Sequence, residues 1–406
     1  MDGASLLGMA KKYGTPLLVT SEKRIVENCR ILRSEFIKYY DNTSFKYAVK
    51  TNSNPKLISV IANEGFGADA SSVAEISFAR YAGVKNSNIL FSPNYASVSE
   101  LKYALDRNIA INFDDIGQFQ SLSKYGMPDV VSFRLNPGFG RGEFPGIVTA
   151  GPGAKFGMPS DKMSRAYKMA KDGGVKRFGM HMMAGSNVLD PEYFAAITAR
   201  ILDAAGKISK SIGIDFEFID IGGGLGVPYR PNEKPLDIER TARLVTKVFK
   251  EKCGEYGLGE PALMMEPGRY IIADTTVLLG TVNHVKRYSR TFIGTDVGMN
   301  ILLRPALYNA YHEVAIANRM DSKNLEKASV TGEICENTDM IAKDRMLPRA
   351  EGGDIIAVFN SGAYVYGMSS QYNSRPRPAE VLIRSCGKDK LIRRRETTLD
   401  LFSTIV

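Results

Sequence analysis

The feature that most constrains this chain is a phrase repeated through its first 270 residues: a short apolar run, then glycine or polar residues, then an amphipathic stretch. Eight such runs occur, at 45–49, 66–70, 88–92, 110–113, 130–135, 177–182, 216–221 and 262–265. The first five begin at 45, 66, 88, 110 and 130, so the unit is about 21 residues long. That length holds one buried strand, one helix and two tight loops. Strands that alternate with helices form a parallel sheet, and eight units predict a closed (β/α)8 TIM barrel. The helices carry their own signals. Ser72-Val73-Ala74-Glu75 has the spacing of a capping box and starts a helix over 73–81.

After about residue 275 the texture becomes β-rich, with runs at 276–285, 291–296, 354–359 and 380–384. An antiparallel β-sandwich or β-barrel domain is expected there, and the early run 16–20 is expected to pair into it. The expected division is therefore 1–25 as a segment of the β domain, 26–275 as the barrel and 276–406 as the C-terminal β domain. A chain of 406 residues suits two such cores.

Composition narrows the function classes. No apolar run is long enough to span a bilayer, so no membrane partner is expected. The net charge is +9, densest at Lys388, Lys390, Arg393, Arg394 and Arg395, but acidic residues interrupt the cluster and a solvated face is the expectation, with no nucleic-acid partner. Cys29, Cys253, Cys335 and Cys386 are scattered. Neither a disulfide framework nor a zinc site is expected, and with no signal-peptide pattern at the start the expected location is the cytoplasm. Only three histidines exist, His181, His284 and His312, which leaves a metal hydrolase short of ligands.

A TIM barrel places its chemistry at the C-terminal ends of its strands. The positions to read are thus Lys50, Asp69, Asn94, Asp114–Asp115, Arg134, 181–186, 220–226 and 266–269. Lys50 ends the first run, where desolvation would lower its pKa and make its amine nucleophilic. A lysine whose stem merely lies along the barrel is the plain alternative. Gly222, Gly223 and Gly224 follow the seventh run, the usual place for a phosphate in this fold, where missing Cβ atoms let backbone N–H groups approach an anion. A tight turn alone would also explain them. Glu266 ends the eighth run, and Arg269, three residues on, suits either a phosphate or an internal ion pair. An amine, a phosphate cradle and a buried carboxylate on one rim match the needs of pyridoxal 5'-phosphate: an imine, an anchored phosphate and a protonated pyridine nitrogen.

With those residues in view, the chain resembles the fold-type III, alanine-racemase-like pyridoxal-phosphate decarboxylases, and within them most closely the diaminopimelate decarboxylases. The resemblance is carried by YAVKTN (47–52), GADASSVAE (67–75), KFGM (155–158), IGGGLG (221–226), EPGR (266–269), RPALY (304–308), GEICENTD (332–339), SGAY (361–364) and SSQYNSRPRPAEV (369–381). It implies that Lys50 is the Schiff-base lysine, with Asp69 and Glu75 the acidic residues near it. It places Ser186, Gly222, Gly223, Gly224, Gly268, Arg269 and Tyr364 around the cofactor, and Glu266 at the pyridine nitrogen. Cys335 is implied to be the proton donor, contributed by the other subunit of a homodimer that shares its active sites. Glu336 is implied to meet the substrate's distal amine, and Arg304 and Tyr308 its distal carboxylate, with Arg269 and Tyr364 also reaching the substrate. The implied reaction is meso-diaminopimelate to L-lysine plus CO2.

One departure stands out. Where the family carries a histidine that stacks on the cofactor ring, the run Gly179-Met180-His181-Met182-Met183-Ala184-Gly185-Ser186 has Met183. A thioether packs on aromatic rings, so Met183 is expected against the cofactor. Residues 138–153 also depart from the family pattern, which leaves another carboxylate-bearing or basic amino acid as the alternative substrate. A racemase would need a base on each ring face, and GEICENTD supplies a cysteine acid instead. An inactive cofactor-binding regulator would have lost Lys50 or Cys335, and both are present.

Overall fold

A computed structural model describes all 406 residues, in two compact units. Its strands, in chain order, are β1 (Leu17–Ser21), β2 (Thr43–Ala48), β3 (Gly67–Ala70), β4 (Ile89–Phe91), β5 (Ala110–Phe113), β6 (Val130–Asn136), β7 (Arg177–Met182), β8 (Phe216–Asp220), β9 (Ala262–Met265), β10 (Thr276–Arg287), β11 (Thr291–Thr295), β12 (Val314–Ile316), β13 (Leu325–Thr331), β14 (Met340–Pro348), β15 (Ile355–Val358), β16 (Ala379–Ile383) and β17 (Asp389–Arg393). Three two-residue pieces are left without labels.

Strands β2 to β9 are parallel, each hydrogen-bonded to the next, and β9 returns to β2 through Leu263↔Thr43 to close the eight-stranded barrel. This unit comprises Asn28–Val227 and Lys234–Tyr270. Alternate residues point inward. In register across β7 and β8, Gly179 faces Phe218 and His181 faces Asp220. Phe218 fills the barrel with Leu90 and Met264, and Gly179 is glycine because any Cβ there would collide with the Phe218 ring. The outer helices obey ordinary capping. The helix Val73–Tyr81 has the predicted start, with Ser72 accepting the Glu75 N–H. Glu75 departs from the capping-box reading. Its carboxylate accepts the N–H of Ser71, at 2.6 Å, instead of that of Ser72. The helices Pro191–Ile212 and Ile238–Tyr256 both end in a left-handed glycine, Gly213 and Gly257.

The other unit comprises Met1–Glu27, Pro228–Glu233 and Ile271–Val406. The short excursion 228–233 thus groups with the β unit and not with the barrel. In its large sheet β1 lies between β10, antiparallel, and β16, parallel. Leu17 and Val19 enter one apolar core while Leu18 enters another, on the opposite face, which is why β1 is apolar without alternation. The sheet is mostly antiparallel. Its parallel exceptions, β1 with β16 and β11 with β13, join strands separated by long connections, as parallel pairing requires. Three of the clustered arginines are engaged within this unit: Arg393 with Glu380, Arg394 with Asp400 and Arg395 with the carbonyl of Thr15. No helix is long and apolar enough to cross a membrane.

Candidate active site

The barrel's C-terminal rim gathers most of the residues singled out above. Lys50 sits one step beyond β2, in the single 3-10 turn Val49–Thr51. Its Nζ lies 2.5 Å from Asp69 Oδ2, at the end of β3. The lysine side chain is 41% exposed and the aspartate fully buried. The side chain is thus less buried than its place at a strand end suggests: a 3-10 turn follows the strand, and full burial falls on its partner Asp69. Burial, and then the charge of Glu266, push the Asp69 carboxyl up, while Lys50 pulls it down.

Glu266 leaves β9 and accepts from His181 Nε2 at 3.2 Å, both side chains buried. Burial pushes the Glu266 carboxyl up, but His181, Lys50 and Arg134 outweigh it and hold it below the usual range. Asp220 behaves oppositely. Burial and the charge of Glu266 push it well above the ordinary carboxylate range, although Gly222 N–H donates to its Oδ1 at 2.8 Å. His181, Asp220 and Glu266 each bring one polar atom within 4.8 Å of the others. Two such close carboxyls cannot both ionise cheaply, and the surroundings push Asp220 up while holding Glu266 down. The other oxygen of Glu266, Oε1, is buried without a hydrogen-bond partner.

Gly222, Gly223 and Gly224 form the turn after β8. Gly222 and Gly224 have φ of +73° and +94°, which favours glycine. Each turn position also abuts backbone. A Cβ would strike the carbonyl of Met182 at Gly222, that of Glu266 at Gly223, and, 2.6 Å away, that of Gly185 at Gly224. Met183 lies at this turn, its Sδ accepting the Gly223 N–H at 3.2 Å. Arg269 Nη2 reaches Ser186 Oγ at 3.5 Å. Gly268 has a packing reason, since its Cβ would collide with Thr51 Oγ1 and approach Ala48 Cβ to 3.0 Å. Residues 138–153 are tied to the same rim. Arg141–Gly142 pairs with Gly185–Ser186, and Thr149 Oγ1 donates to the Met183 carbonyl at 3.1 Å.

The remaining predicted residues belong to the β unit. Arg304 and Tyr308 open and close a one-turn helix, and Arg304 is buried, with Nη1 2.7 Å from His312 Nε2. Cys335 is exposed, its backbone N–H bound to Asn373 Oδ1 at 2.8 Å. Glu336 accepts from Tyr372 OH at 2.7 Å. Tyr364 has φ +58°, a left-handed conformation that non-glycine residues adopt rarely and mainly where structure around them imposes it.

The sequence places His181 and Asp220 on the rim but assigns neither a role beside Glu266. Their shared parity on adjacent strands, each the last inward residue of its run, was the available signal.

The chain can be set beside known proteins. Residues 22–273 match the family described as "Pyridoxal-dependent decarboxylase, pyridoxal binding domain". The diaminopimelate decarboxylase of Methanothermobacter thermautotrophicus is 44% identical over 402 residues, covering 99% of this chain and 94% of that protein. That of Thermoplasma acidophilum is 43% identical over 407 residues, covering 100% and 96%. The crystal structure of diaminopimelate decarboxylase from M. jannaschii in co-complex with L-lysine superposes with a TM-score of 0.92 at 31% identity, covering 100% of this chain and 95% of the other.

Proposed function

The chain belongs to the pyridoxal-dependent decarboxylases, and from that premise we propose that it converts meso-diaminopimelate to L-lysine and CO2. The observation that carries the site is Glu266 Oε1, a buried carboxylate oxygen without a hydrogen-bond partner, just past the strand that pairs with the one leading into Lys50. A buried acceptor of this kind is costly unless a donor meets it, and a pyridinium N–H is such a donor. The glycine turn is compatible with the same cofactor: its glycines are required by close backbone packing, and the Gly223 N–H is met only by a thioether. Bound pyridoxal phosphate supplies an electron-withdrawing ring that takes up the electron pair left as CO2 departs.

The chain's own residues do the rest. Lys50 offers the amine that holds the cofactor's aldehyde carbon, and Asp69 orients it. Glu266, kept ionised by His181, accepts the ring N–H. The N–H groups of Gly223 and Gly224, with Ser186, Arg269 and Tyr364, would hold the phosphate, while Gly222 shapes the turn and gives its own N–H to Asp220. The Gly223 N–H now rests on a thioether, a weak acceptor that a phosphate oxygen replaces readily. Met183, now at the glycine turn, would pack on the ring by dispersion alone. Arg304 and Tyr308 bind the distal carboxylate, a match of planar fork to planar anion, and Glu336 binds the distal amine. Cys335, whose exposed thiol is an acid of suitable type, would donate the proton from its Sγ to the carbon that has lost CO2. We assign Cys335 and Glu336 to the site of a second copy, in a twofold homodimer whose exchange closes in both directions.

Incubating the purified holoenzyme with meso-diaminopimelate, L-lysine, L-ornithine and L-arginine tests the reading. Stoichiometric L-lysine and CO2 from meso-diaminopimelate alone is the expected result. Consumption of a basic amino acid lacking the second carboxylate, with meso-diaminopimelate untouched, would overturn it.

A further inference from the structure

His312 has no part in the reaction set out above, yet it is fully buried beside Arg304. Both of its ring nitrogens are engaged. Nε2 lies 2.7 Å from Arg304 Nη1, and Nδ1 lies 2.9 Å from the carbonyl oxygen of Phe359. A guanidinium can only donate and a carbonyl oxygen can only accept. Nε2 must therefore present its lone pair to Arg304, and Nδ1 must carry the proton given to Phe359. These two contacts select one tautomer and the neutral ring.

The local fold builds this arrangement on purpose-made geometry. The one-turn helix Arg304–Tyr308 ends at Asn309, whose φ of +57° is left-handed and turns the chain back. The return brings His312 to the arginine eight residues before it. Tyr229 holds another side. The Arg304 guanidinium carbon stands 4.4 Å from the Tyr229 ring centroid, and that ring meets His312 edge-on, 5.2 Å away at 73°. A long, flexible side chain is thereby held by an acceptor at one nitrogen and an aromatic face against its plane. The guanidinium is a rigid planar fork, so fixing one N–H on His312 orients all of it. The other N–H groups keep the orientation that this bond and the ring impose.

We propose that neutral His312 is the positioning residue for Arg304, and through it a determinant of the preference for substrates that carry the distal carboxylate. The proposal rests on the assignment of Arg304 to that carboxylate. Without the imidazole, a buried guanidinium N–H loses its acceptor and the fork loses its fixed orientation, so an incoming carboxylate must order it at the moment of binding. Ligands without that carboxylate draw nothing from the arrangement and are indifferent to its loss.

L-lysine and 1,5-diaminopentane make a matched pair of probes, since the second is the first without its carboxylate. Each is titrated into the holoenzyme and followed through the cofactor's visible absorbance. His312→Leu is expected to weaken L-lysine about tenfold or more, the loss of one hydrogen bond to a charged group, and to leave 1,5-diaminopentane within about twofold. With meso-diaminopimelate the same variant raises KM and leaves kcat within about threefold. Two amide variants separate positioning from packing. His312→Gln places an acceptor where Nε2 stood and is expected to retain L-lysine within about threefold. His312→Asn reaches only toward the Phe359 side, and is expected to behave like leucine. The pair decides the matter even if the leucine variant fails to fold. Equal weakening of both probes, or glutamine no better than asparagine, overturns the proposal. Arg304→Leu distinguishes the two levels of the argument. If it leaves the preference for L-lysine intact, the substrate assignment of Arg304 falls. If it abolishes the preference while the His312 variants keep it, only the role of His312 falls.

Discussion

Lys46 offers a quantitative test of the barrel interior. It lies on β2, is 6% exposed, and gives its amine to Asn88 Oδ1. Its stem crosses Gly67, where a Cβ would stand 2.6 Å from Lys46 Cδ. Burial pushes this amine down from the ordinary 10.5 to about 8, with the Asp220 carboxyl opposing. A drop of about 2.5 units corresponds to about 3 kcal/mol against holding the charge inside, at 1.36 kcal/mol per unit. Because the folded pKa lies below the unfolded one, the folded state sheds its proton first. Between about pH 8 and 10.5 the unfolded state binds more protons, so stability rises with pH across that window and the penalty is fully present below it. Lys46→Met keeps the length of the stem and removes the charge. At pH 7 it recovers about 3 kcal/mol and forfeits about 1–2 kcal/mol for the stranded Asn88 oxygen, a net gain of about 1–2 kcal/mol. By pH 10 the wild type has regained about 2.5 kcal/mol, which cancels the advantage of the variant or slightly reverses it. Urea unfolding of both proteins from pH 7 to pH 10 measures it, and subtracting one from the other cancels every shared titration. A stability difference constant within about 0.5 kcal/mol across that range would refute the reasoning, because it would mean that no charge is buried at Lys46.

Three further outcomes are expected. The isolated holoenzyme is yellow; Lys50→Ala is colourless, and borohydride reduction followed by peptide mapping places the label on Lys50 and on no other lysine. Mixing inactive Lys50→Ala with inactive Cys335→Ala restores about a quarter of native activity, since random exchange leaves half the dimers mixed with one intact site each; no recovery despite demonstrated exchange would mean that each chain builds its own site. Met183→His retains or raises turnover of meso-diaminopimelate while Glu266→Ala loses both cofactor affinity and turnover, read by absorbance titration and steady-state kinetics; a Met183→His variant that destroys a robust native activity would mark the methionine as an adaptation to another substrate.

The barrel was legible from sequence because each of its strands is buried on both faces. A parallel strand under helices reads as an unbroken apolar run, and runs such as 110–113 and 262–265 became β5 and β9 with the same bounds. The rim chemistry was legible for a related reason: Lys50, Gly222 to Gly224 and Glu266 sit where such runs stop. Strands β12, β13, β14 and β17 were not foreseen; β12 is only three residues long, and the other three share one feature. Each mixes charged with apolar residues, and β14 and β17 form the two ends of the sheet, where the outer row is exposed and polar residues are favoured. Other facts depended on distances that no spacing encodes. Lys50 faces a buried aspartate because a 3-10 turn follows β2, and it keeps its solvent for the same reason. Glu266 is held down and Asp220 pushed up because neighbouring strands place His181, Asp220 and Glu266 within 4.8 Å, where two carboxylate charges oppose each other and His181 favours that of Glu266. Sequence alone thus determined the class of fold and the kinds of groups on its rim, since periodicity and glycine placement are local properties of the chain. Only the tertiary structure decided which of those groups carry charge, because protonation is set by burial and by neighbours that are remote along the chain.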